Sequence, residues 1–269
     1  MSSDSRHLLL IGIGAGDPRQ LTLHAIDALN RTDVFFLLDK GEGKDELLHF
    51  REAICRRHIK ASHRYRFVTL PNPPRPSVPY GQQQDETYRA VVAEWHRQRS
   101  AMLADAMAEA LLPGQTGAFL VWGDPSLYDS TIRLVNHLSS STSLNLAVEV
   151  IPGISSIQML CALHRIPLNQ IGESVWITTG RKLQQLIDHD EHALPATTVV
   201  MLDGKSVFQH IQRNDLMLYW GANLGTEHQA LVSGPLQEVK QRVLNIKNDI
   251  KATNSWTMDV CLIIFRFFK

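Results

Sequence analysis

The chain predicts an α/β protein of two domains, each built on a five-stranded sheet with flanking helices. Three observations carry this. Apolar runs of four to eight residues alternate with longer stretches of helical periodicity. Several of the runs end in glycine-rich or Gly-Asp-Pro turns that open the next helix. The 269 residues, 44% of them hydrophobic and 20% charged, suffice for two real cores, and no fixed-period repeat or low-complexity tract interrupts them.

Residues 8–13 (LLLIGI) read as a buried strand. Residues 20–31 read as a helix with Leu21, Ala25, Ile26 and Leu29 on one face. A strand is expected at 33–38, a helix at 45–58 and a short strand at 66–70. The following PNPPRPSVPYG must be a loop, because its five prolines remove donors and fix φ. A long helix at 85–112 closes on Pro113-Gly114, followed by a strand at 118–122, a helix at 126–138, a strand at 146–151 and a helix at 154–164. A second set of strands is expected at 175–179, 198–202, 216–220, 230–233 and 258–265, with a helix at 235–251. The domain break is placed at Ile166-Pro167, giving domains 1–166 and 167–269.

Composition narrows the function. Lys+Arg and Asp+Glu are both 27, so no basic face for nucleic acid is indicated, and the short cluster His63-Arg64-Tyr65-Arg66 is weak support for one. The apolar runs fall far short of a membrane span, and the N-terminal run breaks too early for a signal peptide. Three scattered cysteines (Cys55, Cys161 and Cys261) without a CxxC read as reduced thiols of a cytoplasmic protein. Cys55, His58 and His63 come nearest to a metal cluster, but their spacing also fits a solvated helix face, and no metal site is expected.

Three turns hold the candidate chemistry. In GIGAGDP the glycines are Gly12, Gly14 and Gly16, and Asp17 stands where a dinucleotide fingerprint needs its third glycine. A carboxylate there would face a pyrophosphate, and Pro18 removes a donor. Asp39, at the next strand end, keeps the dinucleotide alternative open as a ribose-binding acid. WGDPSLYDS (122–130) repeats Gly-Asp-Pro after another apolar strand, where Asp124 could equally serve a helix N-terminus. IPGISSIQ (151–158) ends a third strand, with Ser155-Ser156 readable as a helix cap. All three lie at carboxyl ends of strands, the ligand-binding rim of open α/β sheets.

In this order the three motifs resemble the tetrapyrrole methylase family, and TTVVMLDGK, LYWGANLGTEHQ and VSGPLQEV resemble its second domain. The resemblance implies an S-adenosylmethionine-dependent methyltransferase with its cofactor cleft between the domains, a tetrapyrrole substrate, and a homodimer. FFLLDKGEGKDEL, YRAVVAEWHRQR and LYWGANLGT resemble the branch that methylates precorrin-5 at C1 and loses the extruded acetyl group as acetate, on the way to cobalamin. Carried over position by position, the resemblance assigns Pro18, Gly123, Asp124, Leu127, Ser155, Ser156 and Leu202 to the methyl donor, with Asp203 the competing alignment for Leu202. An adenine wall near Met258 and a general base for deacetylation at Asp39 are further expectations. Arg64, Arg66, Arg75, Arg133 and Arg181 are candidates for the substrate's carboxylates. The alternatives are methylation of another tetrapyrrole position, a diphthine-type methyltransferase, and a non-catalytic nucleotide-binding module. The C-terminal run MDVCLIIFRFFK is unusually apolar, which an edge strand covered by a dimer partner would explain.

Overall fold

The computed structural model describes residues 5–38, 45–60, 64–70, 86–141, 145–253 and 257–265. By backbone proximity the chain divides into two compact units. One holds the chain up to Ile13 and from Leu21 to Gly153, and the other holds Gly14–Gln20 and the chain from Ile154 onward. The division thus falls at Gly153, upstream of Ile166-Pro167, because the helix after Gly153 packs with the second sheet.

The first unit comprises β1 (Arg6–Gly12), α1 (Leu23–Leu29), β2 (Val34–Leu38), α2 (Asp45–His58), β3 (Arg66–Leu70), α3 (Glu86–Ala110), β4 (Thr116–Val121), α4 (Thr131–Ser141) and β5 (Leu146–Ile151). Its sheet runs β3-β2-β4-β1-β5, all parallel. Alternation along the central strands sorts side chains onto two covered faces. Leu8, Leu10, Phe36, Phe119 and Val121 meet Leu103 and Met107 of α3 and Val135 and Leu138 of α4. Leu9, Ile11, Phe35, Ala118 and Leu120 meet Ala25 and Leu29 of α1 and Ile54 of α2. A parallel strand buried on both faces must be apolar throughout, and LLLI is.

Two helix starts differ from the sequence reading. A 3-10 turn at Pro18–Gln20 precedes α1, which begins at Leu23 where the Thr22 hydroxyl accepts from the Ala25 N–H at 3.0 Å. α4 begins at Thr131, whose N–H donates to Asp129 Oδ1 at 2.6 Å. Residues 126–130 are an irregular turn with Tyr128 at φ +52°.

The second unit comprises α5 (Ser156–His164), β6 (Trp176–Thr179), α6 (Gly180–Asp190), β7 (Thr197–Met201), β8 (Leu216–Ala222), β9 (Ala230–Pro235), α7 (Leu236–Thr253) and β10 (Asp259–Phe265). Its sheet runs β6-β7-β10-β8-β9, with β6 and β7 parallel and the remaining pairs antiparallel. This corrects the edge-strand reading of the C-terminus. β10 sits in the middle of the sheet, bonded to β7 and β8, and Val260, Cys261, Leu262 and Ile263 are buried. Cys261 and Ile263 join the core of Val200, Phe208, Leu218, Trp220 and Val243, while α5 contacts β8 and β10. The apolar run is what a central strand requires.

The three cysteines are free and buried. Burial, reinforced by Glu52 and opposed by Arg56, pushes the Cys55 thiol up to about 12, and burial raises Cys161 and Cys261 as well. Thiols held this far from ionisation are packing groups, not nucleophiles.

Candidate functional site

The turns that end β1, β4 and β5 lie side by side, because the three strands are neighbours in one parallel sheet. Their contact is backbone on backbone. A Cβ on Gly12 would stand 2.6 Å from the Gly153 nitrogen, and one on Gly153 would stand 2.1 Å from the Gly123 carbonyl oxygen. Gly123 itself is at φ +68°, left-handed backbone that glycine adopts at no steric cost. β1 feeds a helix on one face and β4 a helix on the other, so the rim opens at the point where ligands enter such sheets.

Asp124 fastens this rim. Its Oδ2 accepts from the Gly153 N–H at 2.9 Å, and its Oδ1 accepts from the Ser126 N–H at 2.8 Å and from the Ser126 hydroxyl. Burial pushes its carboxyl up, but the bonds from the Ser126 hydroxyl and the Gly153 and Ser126 amides outweigh that and hold it below the usual carboxylate range. Asp124 therefore ties the β4 turn to the β5 turn; it is not the cap of α4, which starts seven residues on. The first Gly-Asp-Pro uses the same device: Asp17 Oδ1 accepts from the Arg19 N–H at 2.8 Å, again two residues on across a proline. The exposed Arg19–Asp17 ion pair adds little in water. Near Asp124, Phe50 and Trp122 pack with ring centroids 4.9 Å apart, and Arg51 Nε donates to the Leu120 carbonyl at 3.1 Å.

Residues Gly14–Gln20 belong to the second unit, where they meet the β8–β9 turn. A Cβ on Gly16 would come within 2.3 Å of the Leu224 carbonyl, and one on Gly225 within 2.6 Å of the Asp17 nitrogen. Gln20, only 8% exposed, closes the loop by accepting from the Ala15 N–H at 3.0 Å. Pro18 is half-buried at the head of the 3-10 turn.

Ser155 is the N-cap of α5. Its hydroxyl accepts from the Ile157 N–H at 3.2 Å and bonds Gln158 Oε1, which also accepts from the Ser155 N–H at 3.0 Å. At 4% exposure that hydroxyl is committed to the helix. Ser156, the first helical residue, and Leu127 are half-buried.

Leu202, the residue just after β7, is in left-handed backbone, φ +53°, with 66% of its surface exposed. A leucine there is strained by on the order of 1 kcal/mol and leaves apolar surface in water, a combination that local folding does not favour. Asp203, the competing position, faces inward at 5% exposure, whereas Leu202 faces solvent. Burial chiefly raises the Asp203 carboxyl; the Val207 amide and Lys247 oppose this, and Asp259 adds to it. Met258 is half-buried, and its backbone pairs with Asn223 at the base of the β8–β9 turn.

Asp39, Arg75 and His63 lie outside the described residues. Arg64, Arg66, Arg133 and Arg181 are exposed, and Arg66 is occupied with the Ala110 carbonyl at 2.5 Å. Among the described residues no group of three or more His, Cys, Asp or Glu could hold a metal, and no helix is long and apolar enough to cross a membrane. Sequence reasoning missed Gly12, Gly123 and Gly153 as mutual contacts, Gly225 as a contact of Asp17, and Lys247. Lys247 carried a signal, since it falls on the buried stripe of α7 with Leu236 and Val243.

Two α/β units, the first an open parallel sheet with interlocked glycine turns at its carboxyl rim and the second exposing a strained leucine at a strand end, define a small-molecule-binding class of protein. Within that class the chain belongs to the Tetrapyrrole (Corrin/Porphyrin) Methylases, whose family model matches residues 7–240. It is 42% identical over 260 residues to a precorrin-6A synthase (deacetylating) of Sinorhizobium sp., covering 96% of this chain and 95% of that protein. A cobalamin synthesis related protein (CobF) of Corynebacterium diphtheriae shares the fold with a TM-score of 0.80 at 35% identity, covering 98% of this chain and 100% of its own. A uroporphyrin-III C-methyl transferase of Thermus thermophilus, solved with S-adenosyl homocysteine, shares the fold alone: TM-score 0.54 at 19% identity, covering 96% and 97%.

Proposed function

We propose that the chain is an S-adenosylmethionine-dependent C-methyltransferase of corrin synthesis, methylating precorrin-5 at C1 and releasing the extruded acetyl group as acetate to give precorrin-6A. The observation that carries this is the 42% identity, spanning both units, to a precorrin-6A synthase (deacetylating).

The residues present fit the methyl donor. Leu202 offers exposed apolar surface for a nucleoside, and the glycine turns leave backbone bare at the rim. When bound, S-adenosylmethionine supplies a methyl group on a sulfonium sulfur that takes the bond electrons on transfer. The chain's task is alignment in a dry setting, since a sulfonium needs no further activation. In this reading Gly123, Leu127 and Asp124 serve the donor, Asp124 by holding its turn. Leu202 lies against the adenosine, and Pro18 ends the first loop. Ser155 and Ser156 act through the start of α5, the Ser155 hydroxyl being spent on its cap. Asp39 is the proposed base that draws a proton from water as its oxygen bonds to the ketone carbon, and the carbon–carbon bond then breaks with acetate leaving and its electron pair passing into the conjugated ring. A homodimer in the cytoplasm completes the reading, without the support once offered by an exposed C-terminal edge.

Incubation with methyl-labelled donor and precorrin-5 should yield a labelled ring and one acetate per methyl transferred. Labelled ring without acetate would discard the deacetylating assignment and point to another ring position. No labelled ring, with S-adenosylhomocysteine failing to bind, would remove the methyltransferase itself. Asp39→Asn should keep methylation and slow acetate release.

A further inference from the structure

A charged cluster is buried beneath the exposed Leu202. Lys247, on α7 and 2% exposed, donates from Nζ to the Asp203 backbone carbonyl at 2.6 Å and to Asp259 Oδ2 at 2.7 Å. Asp259 Oδ2 also accepts from the Trp220 indole at 3.1 Å. Asp203 Oδ2 accepts from the Val207 N–H at 2.7 Å, and the Asp203 carbonyl accepts from the Ser206 N–H at 3.1 Å. Asp203 Oδ1 is buried without a hydrogen-bond partner, 2.4 Å from where a Cβ on Gly180 would stand.

The turn 202–206 has left-handed backbone at both ends, Leu202 at φ +53° and Ser206 at φ +55°. Neither residue is glycine, and Ser206 makes no side-chain cap to the 3-10 turn that follows. Such a turn persists only if something over-determines it. Asp203 does so: its carbonyl and side chain are pinned from α7 and from Val207, so its side chain points inward and its neighbour must point out. A lysine and two aspartates removed from water are poor value for stability, since well-packed apolar residues do as well.

We propose that Lys247, Asp203 and Asp259 are positioning residues for the methyl donor, acting by presenting the Leu202 side chain in its strained, outward conformation. This rests on the reading of Leu202 as the residue against the adenosine. It assigns the buried charges a role in donor recognition, with no contact to the donor of their own.

The test is a coupling measurement with S-adenosylhomocysteine by calorimetry, joined to KM values for donor and tetrapyrrole. Leu202→Gly should weaken binding about tenfold, the scale of one lost apolar side-chain contact, while leaving Tm unchanged or higher because glycine relieves the backbone. Lys247→Met, and Asp203→Ala, which removes the acceptor of the Val207 N–H, should weaken binding to a similar extent, raising the donor KM and leaving the tetrapyrrole KM unchanged. Placed on Leu202→Gly, either change should have no further effect on affinity. Multiplied losses in the double variants, or an Asp203→Ala protein that loses Tm alone, would overturn the proposal. If Lys247→Met does not fold, Asp203→Ala decides. Wild-type protein that does not bind S-adenosylhomocysteine would overturn the donor reading, whereas wild-type binding with Leu202→Gly unaffected would overturn the placing of Leu202 and the positioning role with it, leaving the methyltransferase reading in place.

Discussion

Gly153→Ala should unfold the first unit or displace its β5 turn, with a loss at or above about 3 kcal/mol, the upper end for forcing a methyl into close packing. The added carbon would stand 2.1 Å from the Gly123 carbonyl oxygen, and 2.8 and 2.9 Å from the Gly12 carbonyl carbon and Cα. These are backbone atoms of the end of β1 and of the turn after β4, so no rotamer change can relieve the clash. A whole domain is stable by only about 5–15 kcal/mol, which makes this a large fraction. Gly204→Ala is the control. Nothing lies within 4 Å of its Cβ, and the change should fall within about 0.5 kcal/mol of neutral. Urea midpoints for the two variants check the ordering; equal midpoints would mean the three glycines are not in mutual contact.

Asp124→Ala should weaken S-adenosylhomocysteine binding by about 10- to 100-fold, the equivalent of one or two lost charge-assisted hydrogen bonds. It also leaves the Gly153 and Ser126 amides without their acceptor, so stability should drop by about 1–3 kcal/mol. The structure moves the cause of the affinity loss from a lost donor contact to a loosened rim, because Gly153 and Ser126 already engage both carboxylate oxygens. The pH dependence follows in sign. A carboxyl held below its ordinary value in the folded state contributes stability that is complete above about pH 4 and is lost as pH falls through the lower, folded value. Wild-type binding should therefore fade in acid, and Asp124→Asn should lack that component. Calorimetry across the acid range, with urea melts beside it, separates the two effects; wild-type affinity in Asp124→Ala would remove the loop from the donor site.

Much was legible in the residues because local rules wrote it. LLLI, DVFFLL and AFLVW had to be strands buried on two faces, since a parallel sheet under helices leaves no polar alternation. The two Gly-Asp-Pro sequences had to be turns, and both proved to be carboxylates accepting an amide two residues on. The resemblance named the family and picked out Leu202, which periodicity alone would have left as the last residue of a strand.

Tertiary structure decided the rest, where the deciding partner lies far along the chain. MDVCLIIFRFFK reads as a covered edge, and the pairing of β10 with both β7 and β8 makes it a centre. Gly12, Gly123 and Gly153 are separate turns in the sequence, and strand order β4-β1-β5 makes them one contact. Ser155 offers a hydroxyl on paper, and the capping bonds withdraw it. Lys247 and Asp203 are 44 residues apart, and what joins them is the folding of α7 over the end of β7. The sequence determines which segments become strands, turns and helices, because those follow from side-chain period and backbone freedom. Which turns meet, and which charges are taken out of water together, follows from packing, and no local rule contains it.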